Sequence, residues 1–341
     1  MSPLKRIIDR LTGQSAPDPK ERQLRAFGKL PVSREFLQLE AGQGSGKIVQ
    51  DWIKAGHESW ITRAEARKRG QIAPFCYLVE IPDSKSLVAL GCIWNSYDGA
   101  SPPRMFPFTF FLTQPATAQN NWVGQYLICE NYWRQLGSLY EPATRGDVRI
   151  QDLREHELQP IDALSDATEA MAEEAAQIEL GHWLESLLPN VRCDTPLEYL
   201  AFLESRLDGW RRQALGSGLA LRLPLSRTIA YRVQVAAWLC WLSTQIGQCN
   251  TPLTGLFVPQ EVAEAEPVLT FVTGPICEMD FQFLTTDARS HDHVEDATCY
   301  KAPPESPLSD RHTHLHSILS SGGSIWDWAN LRSNSSPVGA A

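Results

Sequence analysis

Short apolar runs bounded by turn residues constrain the fold of this chain most strongly. Residues 75–81 and 87–94 are rich in β-branched and aromatic side chains, and a turn that begins Pro-Asp-Ser-Lys separates them. This pattern is typical of a β-hairpin. Residues 106–113 have the same character and predict a third strand. Strands of this kind must bury their apolar faces against other elements.

The rest of the chain also alternates between helical and strand-like patterns. Helices are predicted over residues 48–60, 121–140, 166–188, 196–215 and 228–246, and further strands over 219–225, 253–259 and 267–273. Because strands from both halves need a shared sheet to bury their apolar faces, we expect an α/β fold. Its central sheet is predicted to be mixed or largely antiparallel and to be flanked by helices.

Shifts in composition divide the chain into three parts. Residues 1–24 are predicted to be a peripheral N-terminal arm. Residues 25–287 are predicted to be one domain, with halves 25–140 and 167–287 joined by an acidic connector, 141–166. Residues 288–341 are polar and proline-rich at their start, and we expect a loosely attached extension. Trp326 and Trp328 are its two residues best suited to dock on the core.

The composition is that of a folded protein, with 43% hydrophobic residues and 11 tryptophans. A net charge of −9 argues against general nucleic-acid binding. The longest apolar run, near residues 233–242, is too short to cross a bilayer, and no signal peptide is recognised, so we expect neither membrane insertion nor export. The eight cysteines form no CxxC pair, which favours reduced thiols and a cytoplasmic protein. The sequence leaves the oligomeric state open.

Two short motifs, far apart in sequence, contain the candidate site residues. The first motif comprises Phe27, Gly28, Lys29, Leu30 and Pro31, followed by Glu35 and Phe36. The second comprises Ser96 and Asp98, followed by Arg104, Phe106 and Pro107.

In order and spacing these motifs resemble those of the TagF (ImpM) family of type VI secretion system-associated proteins. Many members read F-x-G-K-L-P-x-x-x-[DE]-F near the start and P-S-x-D-x-x-G-R-x-F-P-L after a helix and a strand. In this chain Phe27 directly precedes Gly28, and Ala26 stands at the position of the first Phe of that pattern. This chain departs from the pattern at Arg34, where Gly is usual, at Asn95, where Pro is usual, and in a longer turn before Arg104. The backbone of that turn must differ locally, because it lacks the family's Gly. The resemblance is clear over residues 25–140 and faint over 215–287.

The resemblance implies a three-layer αβα domain and a non-enzymatic, cytoplasmic accessory protein of the type VI secretion system. Family members restrain the apparatus after translation, and a forkhead-associated scaffold protein is the proposed partner for some. It also allows the motif residues, which are first expected to have structural roles, a second role as an exposed recognition edge for a protein partner, and it assigns no catalytic, cofactor or metal residue. An acid and a guanidinium that flank a tight turn can form a bidentate pair. We therefore expect Asp98 and Arg104 to pair, with Lys29 close by at one end of the sheet.

An enzymatic alternative remains open on two features. The loop from Gly42 to Lys47 nearly matches a phosphate-binding loop, although Ile48 stands where a Ser or Thr would hold Mg²⁺. Late histidines alternate in a way that suits Zn²⁺, but they lie in a region unlike a core. They are His291, His293, His312, His314 and His316. The alternative is thus a nucleotide- or metal-dependent hydrolase, and a structural adaptor of another contractile-injection assembly is a third possibility.

Overall fold

One nine-stranded sheet runs through the residues that the computed structural model describes. These residues are 23–62, 74–82, 87–116, 122–161, 163–213, 220–246, 253–260, 267–278, 281, 294–298, 317 and 319–330. The strands are β1 (Arg25–Gly28), β2 (Leu37–Leu39), β3 (Phe75–Glu80), β4 (Leu87–Trp94), β5 (Phe108–Pro115), β6 (Ala220–Pro224), β7 (Gly255–Pro259), β8 (Val268–Val272) and β9 (Val294–Asp296). Their order is β2-β1-β5-β4-β3-β7-β8-β6-β9. Neighbours are antiparallel except β6 and β9, which are parallel, so the predicted sheet type is confirmed.

Helices cover both faces of the sheet. They are α1 (Gly44–Thr62), α2 (Trp122–Arg145), a 3₁₀ helix (Ile150–Glu155), α3 (Leu164–Ala176), α4 (Leu180–Val191), α5 (Pro196–Gln213), α6 (Tyr231–Ile246) and α7 (Ile325–Asn330). Successive residues of a strand point to opposite faces. In β4, Leu90 and Cys92 pack in the core that contains α2, whereas Ala89 and Ile93 pack in the core that contains α1. The expected three-layer αβα arrangement is confirmed.

The two halves of the chain meet where β3 pairs with β7. Register runs from Phe75 opposite Pro259 to Val79 opposite Gly255. On one side of this seam lie the five strands of the first half, and on the other the four strands of the second half. The prediction that strands from both halves share a sheet is therefore confirmed.

The helix predicted over residues 166–188 is instead two helices, α3 and α4. A later segment of the chain lies at the break: Leu180 donates its backbone N–H to Gly323 at 2.9 Å, and Ile178 accepts from Ile325 at 2.9 Å. Helical periodicity in the sequence continues through the break. The N–H of Leu180 and the carbonyl of Ile178, however, bond to a distant segment and not within a helix. Local sequence could not show this, because the partners lie far along the chain.

The segment after residue 287 is anchored where the structure describes it, which corrects the expectation of a loose extension. In α7, Ile325, Trp328 and Ala329 are buried. The ring of Trp328 lies 5.4–5.7 Å from those of Trp183, Trp238 and Trp241. β9 also lies after residue 287 and pairs with β6. Residues 1–22 of the arm predicted over 1–24 lie outside the described residues, as do the late histidines, whereas Leu24 is buried.

Two further boundaries differ from the sequence prediction. α2 continues to Arg145 with Pro142 inside its last turn, so the predicted connector begins within a helix. Proline lacks only its own N–H, and the Pro142 carbonyl still accepts from Asp147 at 2.9 Å. The third strand begins at Phe108, not at residue 106, because Pro107 has no N–H to donate to a neighbouring strand.

Candidate interaction surface

The buried carboxylate of Asp98 joins the two sequence motifs. Lys29 Nζ lies 2.9 Å from Asp98 Oδ2, and Arg104 Nε lies 2.6 Å from the same oxygen. The backbone N–H groups of Arg104 and Ala100 donate to Oδ1 at 2.9 and 3.2 Å. The prediction that Lys29, Asp98 and Arg104 lie close together is confirmed.

The environment of Asp98 favours its ionised form. Burial alone would raise the pKa of Asp98, but hydrogen bonds from Arg104, Lys29 and Ala100 outweigh burial and hold that pKa well below its usual range. Arg104 does not form the bidentate pair that the spacing allowed, because its Nη2 instead donates to the Arg34 carbonyl at 2.6 Å. A buried carboxylate that accepts four hydrogen bonds from two separate loops is suited to holding those loops together.

Further contacts hold together the two loops that carry the motifs, residues 29–36 and 96–106. Gly99 donates its N–H to the Ser33 carbonyl at 2.8 Å. Gly28 has φ +135°, and a side chain there would collide with the Pro107 carbonyl. This close approach explains why the first motif has glycine at position 28.

An aromatic cluster lies beside the buried charges. Phe36 stacks on Phe27 with ring centroids 5.5 Å apart and meets Phe106 edge-on at 4.8 Å. Lys29 Nζ lies 5.0 Å from the centroid of Phe36, which is a cation–π contact. Phe36 thus has one face in the cluster while 46% of its surface stays exposed.

His57, a buried residue of α1, belongs to the same cluster. Its ring lies 4.7 Å from that of Phe106. Burial, and secondarily the positive charge of Lys29, lower the pKa of His57 to about 4. His57 is therefore neutral at physiological pH. The position of His57 in the aromatic cluster could not be predicted from the sequence, because α1 and the two motifs come together only in the folded chain.

Large apolar side chains are exposed around the joined loops. Among the described residues, five large hydrophobic side chains are exposed, and four of them lie on these loops. The four are Val32 at 50%, Phe36 at 46%, Tyr97 at 44% and Met105 at 50%. We call these four residues the exposed apolar set.

Three members of this set occupy positions that the motifs leave variable. Tyr97 and Met105 face each other across an isolated antiparallel bridge; Tyr97 lies between the buried residues Ser96 and Asp98, and Met105 precedes the buried Phe106. Val32 follows directly after the first motif's proline. Alternation with its two neighbours is the sequence signal that could have identified Tyr97.

The remaining predicted site residues have mainly structural positions. Leu30, Ser96 and Pro107 are buried, and Pro31 is half-buried. Glu35 is exposed, and its N–H donates to Ser33 Oγ at 3.2 Å, which orders the turn. These residues shape the two loops, whereas the exposed apolar set is accessible to solvent.

The loop from Gly42 to Lys47 does not have the geometry of a phosphate-binding loop. α1 already begins at Gly44, and the preceding strand β2 is a three-residue antiparallel edge strand. Lys47 Nζ pairs with Asp51 at 2.6 Å on the exposed face of α1. Within the described residues, no group of three or more His, Cys, Asp or Glu side chains is placed to hold a metal ion. No helix in this part of the chain is long and apolar enough to cross a membrane.

Comparisons with known proteins find one family model that matches the part of the chain containing this surface. Residues 26–159 match the model described as "TagF N-terminal domain, Type VI secretion system-associated". Among solved structures, the chain is similar to PA0076 from Pseudomonas aeruginosa PAO1, with 17% identity and a TM-score of 0.31. That match covers 40% of this chain and 62% of PA0076, which is less than two thirds of its length. None of the curated proteins matches the chain.

Proposed function

Residues 26–159 of this chain are a TagF N-terminal domain, which makes it a type VI secretion-associated protein, and from this premise we propose that it is a non-enzymatic regulator. It restrains the apparatus from the cytoplasm by binding a protein partner. The described part of the second half completes the sheet and supports the domain. The partner-binding end is formed by the two joined loops of the first half.

The exposed apolar set is the observation that carries this proposal. Soluble proteins expose single apolar residues everywhere, but several together on rigid loops mark interaction sites. Here the ionic contacts of Asp98 hold both loops in place before any partner binds. A preordered surface loses little conformational entropy on binding, which favours affinity.

The partner is proposed to be a protein of the secretion apparatus. A forkhead-associated scaffold protein is the first candidate, because the resemblance in the motifs implies it. The surface has the composition expected at the centre of a protein interface, where Tyr, Phe, Met and Arg are enriched. Arg34 and Arg104 supply exposed charge beside the apolar residues.

The interaction is tested with alanine variants in the chromosomal copy. Phe36→Ala and Tyr97→Ala should each weaken partner capture more than tenfold, because truncating a central aromatic anchor costs about 2 kcal/mol or more. Secretion in these strains should rise toward that of a deletion strain. Ile61→Ala is the matched control, since Ile61 is the exposed large hydrophobic residue outside the two loops, at 38%. Normal capture and restraint in both loop variants would overturn the proposal.

The proposed absence of enzymatic function has its own test. Lys47→Ala should leave regulation unchanged, and the purified protein should bind neither ATP nor GTP, because Ile48 removes the hydroxyl that would hold Mg²⁺. Isothermal titration with each nucleotide in the presence of Mg²⁺ measures this. Micromolar binding that disappears in Lys47→Ala would favour the hydrolase alternative instead.

A further inference from the structure

Two free cysteines lie directly opposite each other in the middle of the sheet. β3 and β4 are antiparallel, and their register places Cys76 opposite Cys92. The two sulfur atoms are 3.2 Å apart. Both side chains point to the face that packs on α2, where Cys92 Sγ also lies 3.6 Å from the Trp133 carbonyl.

The geometry of this pair fits a disulfide without movement of the backbone. Directly opposite residues of antiparallel strands have Cα atoms about 4.5–5.5 Å apart, which lies within the range of native disulfides. Bond formation needs the sulfurs to approach by only about 1 Å. Rotation about the two Cα–Cβ bonds can supply such a movement.

The two thiols differ in access to reagents from solvent. Cys76 is half-buried, whereas Cys92 is buried. Burial, and secondarily the contact with Cys76, raise the pKa of Cys92 well above its usual value. Within this pair, Cys76 is therefore the thiol that a small oxidant meets first, and Cys92 is the thiol placed to resolve the product.

We propose that Cys76 and Cys92 are a reversible redox pair that a small soluble disulfide oxidises to an intramolecular disulfide. In the first step the Cys76 sulfur attacks one sulfur of the small disulfide; that S–S bond breaks, one thiol departs with the proton that Cys76 loses, and Cys76 is left in a mixed disulfide. In the second step the Cys92 sulfur attacks the Cys76 sulfur of the mixed disulfide, and the second thiol departs with the proton that Cys92 loses. Both cysteines lose one electron each, and the small disulfide is reduced to two thiols.

The product would lock the first half of the sheet. β3 is the strand that pairs with β7 at the seam, and the cross-link would fix it to β4. The bond closes a loop between residues 16 positions apart. Closing a loop of this size restricts the unfolded chain and lowers the unfolding equilibrium constant on the order of a hundredfold. This inference does not depend on the proposed partner.

Glutathione disulfide is the probe that tests the pair. The native full-length protein is equilibrated in glutathione buffers of increasing oxidised fraction, free thiols are alkylated, and peptides are mapped by mass spectrometry. We expect a Cys76–Cys92 linked peptide that grows with the oxidised fraction and disappears with dithiothreitol. The oxidised protein should also unfold at higher urea concentration.

Single variants separate the two steps. Cys92→Ser should accumulate glutathione on Cys76, because the resolving thiol is missing, whereas Cys76→Ser should take up none at Cys92. Should either variant fail to fold, the wild-type peptide map and its dependence on the glutathione ratio still decide the question. Two free thiols at these positions in fully oxidised buffer, or a stable glutathione adduct on wild-type Cys76, would overturn the proposal.

Discussion

Asp98 accepts hydrogen bonds from two cationic side chains and two backbone amides, so neutralising it should destabilise the protein more than removing either cation. Asp98→Asn leaves Lys29 buried without a counter-charge, which is strongly unfavourable. Lys29→Met leaves Asp98 paired with Arg104 and should cost about 1–2 kcal/mol. Urea unfolding followed by tryptophan fluorescence measures both.

Lys47→Ala is the control for this comparison, because it removes an exposed i,i+4 pair on α1. Such pairs contribute about 0.5 kcal/mol or less. Equal urea midpoints for Asp98→Asn and Lys47→Ala would show that the buried charges do not hold the loops.

His57 should make the stability of the protein depend on pH between about 6.5 and 4. Its pKa is about 4 in the folded protein and 6.5 in the unfolded chain, so the unfolded state binds the proton first as the pH falls. The contribution of His57 to the free energy of unfolding is therefore constant above pH 6.5, and it decreases as the pH falls from 6.5 toward 4. His57→Gln should flatten that part of the profile. Urea midpoints measured for both proteins at several pH values give the difference, and parallel profiles would contradict the assignment.

The site was predictable for residues of the two motifs and not for residues outside them. Lys29, Asp98 and Arg104 were correctly expected to lie close together, because two motifs far apart in sequence are most economically explained by one shared surface. Tyr97, Met105 and Val32 were missed, since a side chain's exposure depends on which way each loop turns. His57 was missed as a site residue because its contact with Phe106 forms only when α1 and the second motif come together in the folded chain.

Helix α7 should contribute to stability mainly through Trp328. This side chain is buried among three other tryptophans of α4 and α6. Trp328→Ala should cost about 3–5 kcal/mol, the range found for large aromatic residues in cores. Trp326 is half-buried in the same helix, so Trp326→Ala is the matched control and should cost clearly less. Similar urea midpoints for the two variants would show that α7 packs differently.

Elements with strong local patterns were predicted, and those fixed by distant partners were not. The β3–β4 hairpin follows from two apolar runs and the turn between them. The break between α3 and α4 depends on backbone bonds to residues 323 and 325, which no local window contains. α7 spans only six residues, too short for helical periodicity to emerge.

Removing residues 288–341 should destabilise the whole molecule. The sequence suggested that a folded core would survive this truncation, but the structure places β9 and the buried residues of α7 inside the deleted segment. We expect a lower urea midpoint, with a broadened or lost cooperative transition. Deleting only residues 331–341 spares α7 and serves as the control. A truncated protein as stable as the full chain would show that these contacts add nothing.

The seam between β3 and β7 also sets the order of events while the protein is being made. β1–β5 and α2 leave the ribosome before β7, since Arg145 precedes Gly255 by 110 residues (255 − 145). Synthesis of that stretch takes about 5–20 s at ordinary elongation rates. During this interval the edge of β3, which carries Phe75 and Tyr77, has no strand beside it, and such edges recruit other chains. Slower translation of the second half therefore increases the fraction of nascent chains that aggregate.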